Sequence, residues 1–286
     1  MGAIRSNPTR RVTHVGLAAN LENEVTRSLL DRLVPLLSER RVKISLDEDL
    51  APDATLLAGC TPGIDDSCDV LIAVGGDGTI LKLARRYADR DLPIVGVKGG
   101  RLGFLTEATP EAVVEMLLSG SFEVQDRMRI TGRVHSGRTP GTSFSALNDI
   151  VIHSTGYSRM LTLRVEVGGK LLRELSADGV IVATPTGSTA YSLSAGGPVL
   201  EPTLDAIMLT PLNPHTMSIR PMVLDATEVV SVQVLAAPSG LMITVDGQQG
   251  IDMGLSEHVE IRRDERVTRL VVPDTYDFFS RLREKL

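Results

Sequence analysis

The sequence predicts two domains, an α/β domain on a parallel sheet and a β-rich domain, with a C-terminal helix returning to the first. Three observations predict this fold class. Strand and helix patterns alternate up to residue 126, short strands separated by glycine and polar clusters follow Arg127, and helical spacing resumes at 276–286. Strands that alternate with helices build a parallel sheet through right-handed crossovers. The predicted boundaries are 11–126 with 273–286 for the α/β domain and 127–272 for the β-rich domain. A chain of 286 residues suits two domains at roughly 150 residues each.

Residues 12–19 are apolar enough for a buried strand, and a helix over 22–40 places Val25, Leu29, Leu33 and Leu37 at helical spacing. Residues 42–46 read as a short strand. Residues 69–74 form a continuous apolar run, the pattern of a central parallel strand. A helix over 79–88 puts Ile80, Leu83, Ala84 and Tyr87 on one face. A strand at 93–97 and a helix at 110–118 complete the alternation. In the β-rich part, strands are predicted at 129–135, 145–153, 160–167, 180–183, 229–236, 242–245 and 267–272.

Apolar residues make up 42% of the chain and charged residues 23%, which excludes wholesale disorder. A net charge of -6 argues against a nucleic-acid partner, which selects a basic surface. Cys60 and Cys68 alone do not make a disulfide framework and are expected as reduced core residues. No run approaches the ~18 apolar residues of a membrane span, and no apolar segment follows the arginines of the first ten residues. The expected address is therefore the cytoplasm, without membrane partners.

The first chemical signal is Gly75-Gly76-Asp77-Gly78-Thr79, set between a predicted strand and a predicted helix. Such a turn lets a ligand approach the backbone, its N–H groups form an anion-binding concavity, and the helix N-terminus adds positive potential. Thr79 is placed to cap the helix or meet a phosphate, and Lys82 to reach a phosphate as a point charge. Asp77 repels phosphate unless it binds Mg²⁺ or takes a proton from an attacking hydroxyl. The same residues also fit a tight strand-to-helix turn capped by an aspartate. The spacing is neither that of a P-loop nor that of a dinucleotide turn. A second glycine turn, 96–106, follows the next strand and carries Phe104, which either stacks on a ring or fills the core.

The β-rich part holds a longer motif at 178–198, running from Asp178-Gly179 through Thr184-Pro185-Thr186-Gly187-Ser188-Thr189-Ala190-Tyr191-Ser192-Leu193-Ser194 to Pro198. Few charges and many small hydroxyl residues make a wall suited to a neutral polar ligand, such as a base with its ribose. A surface loop rich in serine and threonine is the plainer reading. Asn148-Asp149 fits a ribose contact or a turn equally well. The five histidines show no metal-ligand spacing.

In this order and spacing, Gly75–Thr79, the 100–107 segment, Asn148-Asp149 and the 178–198 motif resemble the NAD kinase family. Thr210-Pro211, Pro214-His215, Ile219-Arg220-Pro221 and Val245-Asp246-Gly247-Gln248 match too, so the resemblance covers about residues 12–280. The glycine turn alone is shared with lipid kinases and phosphofructokinases; the 184–198 stretch separates this family from them. The resemblance implies phosphoryl transfer from ATP, or polyphosphate in some members, to the 2′-hydroxyl of the adenosine ribose of NAD. It implies Asp77 as general base, with Gly75, Gly76, Gly78 and Thr79 around the phosphates. Asn148 and Asp149 would meet ribose and adenine edges, Asp178 the nicotinamide end, and Thr189 to Ser194 the adenine and ribose wall. Arg159, Ser176 and Gln248 fall where the family has further ligand contacts, beside Lys82, Phe104 and Thr186 as candidate binding residues of the motifs themselves. Mg²⁺ or another divalent cation would come with the donor, and the protein would form a homotetramer, with a dimer as alternative. Two positions depart from the family: Asn148-Asp149 replaces the common Asn-Glu, and Ser176 stands where many bacterial members have arginine. The alternative readings are a lipid or sugar kinase of the same superfamily and a non-catalytic NADP(H)-binding protein.

Overall fold

A computed structural model of the chain describes residues 4–5, 12–21, 23–50, 59–98, 103–106, 109–135, 141–156, 160–215, 219–255 and 257–286, with the backbone alone at 4–5. The elements begin with β1 (Ile4–Arg5), β2 (His14–Ala19), α1 (Glu24–Glu39), β3 (Lys43–Leu46), β4 (Thr61–Pro62), β5 (Val70–Val74), α2 (Asp77–Arg86), β6 (Ile94–Val97) and α3 (Pro110–Ser119). Then come β7 (Phe122–His135), β8 (Ser143–Ala146), β9 (Asp149–Ser154), β10 (Leu161–Val167), β11 (Lys170–Ala177), β12 (Gly179–Ala183), a 3₁₀ turn (Thr186–Thr189) and α4 (Tyr191–Ser194). The chain ends with β13 (Ala206–Leu212), β14 (Met222–Asp225), β15 (Val230–Ala236), β16 (Leu241–Val245), β17 (Gln249–Asp252), β18 (His258–Pro273) and α5 (Phe278–Lys285). It divides into two compact units, Ala3–Asp126 with Thr268–Leu286, and Arg127–Val267. No helix among the described residues is long and apolar enough to cross a membrane.

The first unit is a parallel sheet in the order β6-β5-β2-β3-β4, with the end of β18 joining parallel to β6 at Leu270 and Ile94. Every residue of β2, β5 and β6 is buried, which is why these strands read as unbroken apolar runs. Local signals set the helix ends. Asn23 caps α1 by accepting the Val25 N–H, and Thr109 caps α3 ahead of Pro110. Leu29, Leu30, Leu33 and Leu37 of α1 pack into the core with Ile44, Ile72, Val95 and Val113. From β2 the chain builds outward through β3 and β4, then returns to the other side of β2 for β5 and β6. The strand order therefore reverses between β2 and β5, and ligands of such sheets bind at carboxyl ends beside that reversal. The 75–79 turn follows the carboxyl end of β5.

The second unit has two antiparallel sheets. In one, β11, β10, β15 and β18 lie side by side. The other has the order β14-β13-β12-β9-β16-β17. Their facing residues, including Leu163, Val165, Val232, Ile150, Ile152, Val180, Val182 and Ile243, form one core. The period of two along β9 sends Ile150 and Ile152 into that core and turns Asp149, Val151 and His153 to the opposite face.

Several elements differ from the sequence expectation. The run predicted at 145–153 is two strands, because the chain breaks at Leu147 and Asn148; β8 pairs with β7 and β9 joins the other sheet. Strands β7 and β18 start earlier than predicted, at Phe122 and His258. Strand β11 is exposed over its first five residues and carries no apolar alternation. Strand β13 is fully buried but contains Pro211, which argues against a central strand in a sequence. In the structure Pro211 pairs with Val180 of β12, while the β14 ladder covers only Ala206 to Leu209. Cys68 is buried, Cys60 is half-buried, and both are free thiols.

Candidate active site

The first unit presents a carboxylate at a glycine turn. Gly75 has φ +144, and a side chain there would also meet Thr79 Oγ1 at 2.7 Å, so glycine is required on both counts. Gly76 is the N-cap of α2, and the helix starts at Asp77, two residues before the predicted start. Thr79 therefore lies inside the first turn and is not the cap. Asp77 Oδ2 accepts the N–H of Phe104 at 3.0 Å. Asp77 Oδ1 is shut from solvent and has no hydrogen-bond partner among the described residues. That unpartnered oxygen lies at a helix N-terminus, where a ligand group can meet it. A Cβ on Gly103 would lie 2.0 Å from Oδ1, so only glycine fits beside this carboxylate. Phe104 thus serves Asp77 through its backbone.

Lys82 points elsewhere than expected. Its ammonium pairs with Asp49, and Arg86 of the same helix pairs with Asp47 and Asp49. The Lys82 hydrogen bond, with help from Arg86, holds the Asp49 carboxyl below the usual range against the opposing effect of burial. The ammonium therefore has a carboxylate partner instead of standing free for a phosphate.

The second unit holds a cavity of about 750 Å³ lined by Asn148, Asp149, His153, Asp178, Ala190 and Tyr191 among others. Its floor is braced by Asp246, which adopts φ +50 after β16. The Asp246 carboxylate accepts three consecutive backbone N–H groups, from Leu147 at 3.0 Å, Asn148 at 2.7 Å and Asp149 at 3.2 Å. Asp149, only 4% exposed, is pushed up to about 7 by burial and by the charge of Asp246, while the Tyr191 N–H pulls the other way. Burial also raises Asp246, against the three N–H groups that lower it. Asn148 Oδ1 and Thr186 Oγ1 are buried without partners among the described residues. Thr184 Oγ1 donates to Leu147 O and accepts the Gly187 N–H at 3.1 Å, pinning the hydroxyl-rich loop beneath the 147–149 turn. Gly187 has no room for a side chain, since a Cβ would lie 2.1 Å from Asn148 O.

The hydroxyl-rich stretch is thus only partly a cavity wall. Ala190 and Tyr191 line the cavity, and Tyr191 is 50% exposed. Ser192 is fully buried and bonded to Thr210 Oγ1 at 2.9 Å, so its hydroxyl braces the loop. Thr189 Oγ1 donates to Thr186 O at 3.3 Å. Leu193, Ser194, Ser176 and Gln248 are not among the lining residues, and Arg159 lies outside the described residues. Asp178 lines the cavity and accepts from Asn213 Nδ2 at 2.9 Å. Sequence reasoning missed His153, Asn213, Thr244 and the brace Asp246; the alternation of β9 and the Asp246-Gly247 turn were the available signals.

Among the described residues, folding also gathers two sets of metal-ligand types that sequence spacing did not reveal, His14 with Asp65 and Cys68, and His135 with His258 and Glu260. Both ring nitrogens of His14 are hydrogen-bonded, to Ser67 and Ser45. The rings of His135 and His258 stack 8° from parallel, so their in-plane lone pairs do not converge on one ion.

Residues 12–119 match the family model described as the ATP-NAD kinase N-terminal domain, and residues 147–272 that of the ATP-NAD kinase C-terminal domain. The chain is 36% identical over 277 residues to the NAD kinase of Natranaerobius thermophilus, covering 95% of this chain and 97% of that protein. It is 40% identical over 226 residues to the NAD kinase of Geotalea daltonii, covering 78% and 80%. Among solved structures it resembles an NAD kinase from Archaeoglobus fulgidus in complex with ATP, with TM-score 0.74, 26% identity and coverage of 95% and 98%. It shares the fold of yeast NADH kinase complexed with NADH, with TM-score 0.85, 23% identity and coverage of 99% and 92%.

Proposed function

The chain belongs to the NAD kinase family, and from that premise we propose that it transfers the γ-phosphoryl group of ATP to the 2′-hydroxyl of the adenosine ribose of NAD, releasing NADP and ADP. The observation that carries the chemistry is Asp77, anchored through Oδ2 by one N–H while Oδ1 has no partner among the described residues. Asp77 takes the proton of the 2′-hydroxyl as that oxygen attacks the γ-phosphorus and the bridging bond to the β-phosphate breaks. Gly75, Gly76, Gly78, Thr79 and the N-terminus of α2 offset the phosphate charge. Asp77, whose Oδ1 has no partner among the described residues, is the carboxylate of this turn that would help hold a divalent cation, which would supply charge neutralisation for phosphoryl transfer.

The dinucleotide occupies the cavity of the second unit. Asn148 and Asp149 meet ribose and adenine edges, Asp178 faces the nicotinamide end, and Ala190 with Tyr191 forms the wall. Ser176 and Gln248, which do not line this cavity, and Arg159 are kept as further contacts only on the family resemblance, and the protein works as a cytoplasmic homotetramer. The match of both family domains does not favour a lipid or sugar acceptor or a purely binding role.

The test is incubation with NAD and MgATP or polyphosphate, followed by detection of NADP with an NADP-specific dehydrogenase. NADP forms with ATP, and Asp77→Asn lowers kcat by ~10²–10⁴ while NAD still binds. No NADP from either donor, in a folded chain that binds NAD, overturns the reading.

A further inference from the structure

We infer that Arg281, on the C-terminal helix, is a positioning residue for phosphoryl transfer and acts on Asp77 through the turn at 103–106. The inference rests on Asp77 being the general base. Helix α5 is short and fixed at its start by Asp277, whose carboxylate accepts the N–H groups of Phe279 and Ser280 at 3.1 Å each. Arg281 points inward from it and is 8% exposed, with its guanidinium over the Tyr276 ring at 5.1 Å. Burying a guanidinium is costly unless its N–H groups find acceptors. Arg281 Nη1 donates to Thr106 O at 3.0 Å and to Gly103 O at 3.4 Å.

Those acceptors bear directly on Asp77. The Gly103 carbonyl and the Phe104 N–H belong to one planar peptide unit. Arg281 holds its oxygen, and Asp77 Oδ2 accepts its hydrogen at 3.0 Å. The Thr106 hydroxyl fixes the preceding N–H by accepting from Gly103 at 2.9 Å. Rotating that peptide plane would break the Arg281 and Asp77 bonds together. Gly103 also packs against Asp77 Oδ1 with no space for a side chain, so a shift of the turn moves both carboxylate oxygens. A hydrophobic residue at 281 would supply packing for the helix but would leave the Gly103 and Thr106 carbonyls without this donor. Displacing a catalytic group by about 1 Å can cost ~10²-fold in rate.

The test is a double-mutant cycle with Arg281→Met, Arg281→Lys and Asp77→Asn, read as kcat and as KM for NAD and ATP. Arg281→Met is expected to lower kcat ~10–100-fold with both KM values within about threefold. Arg281→Lys is expected to recover part of the loss, because a single nitrogen serves both carbonyls. In the Asp77→Asn background, Arg281→Met should lower the residual turnover by no more than about twofold, since its effect is already lost. Thermal unfolding and NAD titration establish that each variant is folded, and if the methionine variant does not fold the cycle is read from Arg281→Lys. An unchanged kcat in folded Arg281→Met, or an equal loss in both backgrounds, overturns the role of Arg281. Full turnover by Asp77→Asn instead removes the base assignment itself, which separates the two failures.

Discussion

The chain uses aspartate in two opposite ways, and the number of N–H donors each receives tells them apart. Asp246 accepts three consecutive backbone N–H groups and has φ +50, so it is fixed as a brace beneath the 147–149 turn. Asp77 accepts the N–H of Phe104 and keeps an oxygen without a partner among the described residues. A carboxylate held by three N–H groups is fixed as a structural strut; one with an oxygen left without a protein partner can still meet a ligand. Asp149 is a third case, a buried acid beside the Asp246 charge whose neutral form is favoured. Glycine supports both arrangements by giving room, Gly103 against the Asp77 carboxylate and Gly187 against the Asn148 carbonyl.

The two glycines offer the sharpest way to break this comparison. Gly103→Ala places a Cβ 2.0 Å from Asp77 Oδ1. It should lower kcat ~10²-fold with little change in NAD affinity, as steady-state kinetics and NAD titration would reveal. Gly187→Ala places a Cβ 2.1 Å from a backbone oxygen that cannot rotate away. It should destabilise the second unit by ~1–3 kcal/mol and raise KM for NAD more than it lowers kcat. If the two substitutions gave the same kinetic signature, the separation of chemistry from binding would be wrong.

A further comparison concerns pH dependence. Asp149 is raised to about 7 in the folded chain from 3.8, so the folded state holds the extra proton between those values. Its contribution to stability is fully present below the unfolded value and is lost as pH rises through about 7. Asp149→Asn should remove that fall, on the order of a few kcal/mol at most, when urea unfolding at pH 5 and pH 9 is compared with the parent. Parallel pH profiles for the two proteins would contradict a buried acid kept neutral by its surroundings.

Much of the first unit was legible along the chain, because its strands β2, β5 and β6 are buried on both faces and read as apolar runs. The 75–79 turn was legible for the same reason: a glycine cluster between such a run and an amphipathic helix has a local cause. In the second unit the period of two was visible where one face is polar, and hidden in the exposed β11 and in β13, which is fully buried yet carries a proline.

The sequence by itself determined the fold class, the glycine turn around Asp77 and the family motifs, since each depends on neighbours within a few residues or on their order. Only the tertiary structure decided which hydroxyls face the cavity. It turned Ser192 inward to Thr210, gave Lys82 to Asp49, and set Asp246 beneath residues 98 positions away. It likewise brought Arg281 onto carbonyls 178 and 175 positions earlier. These contacts join segments far apart in the chain, where residue type alone does not say which partner satisfies a buried polar group.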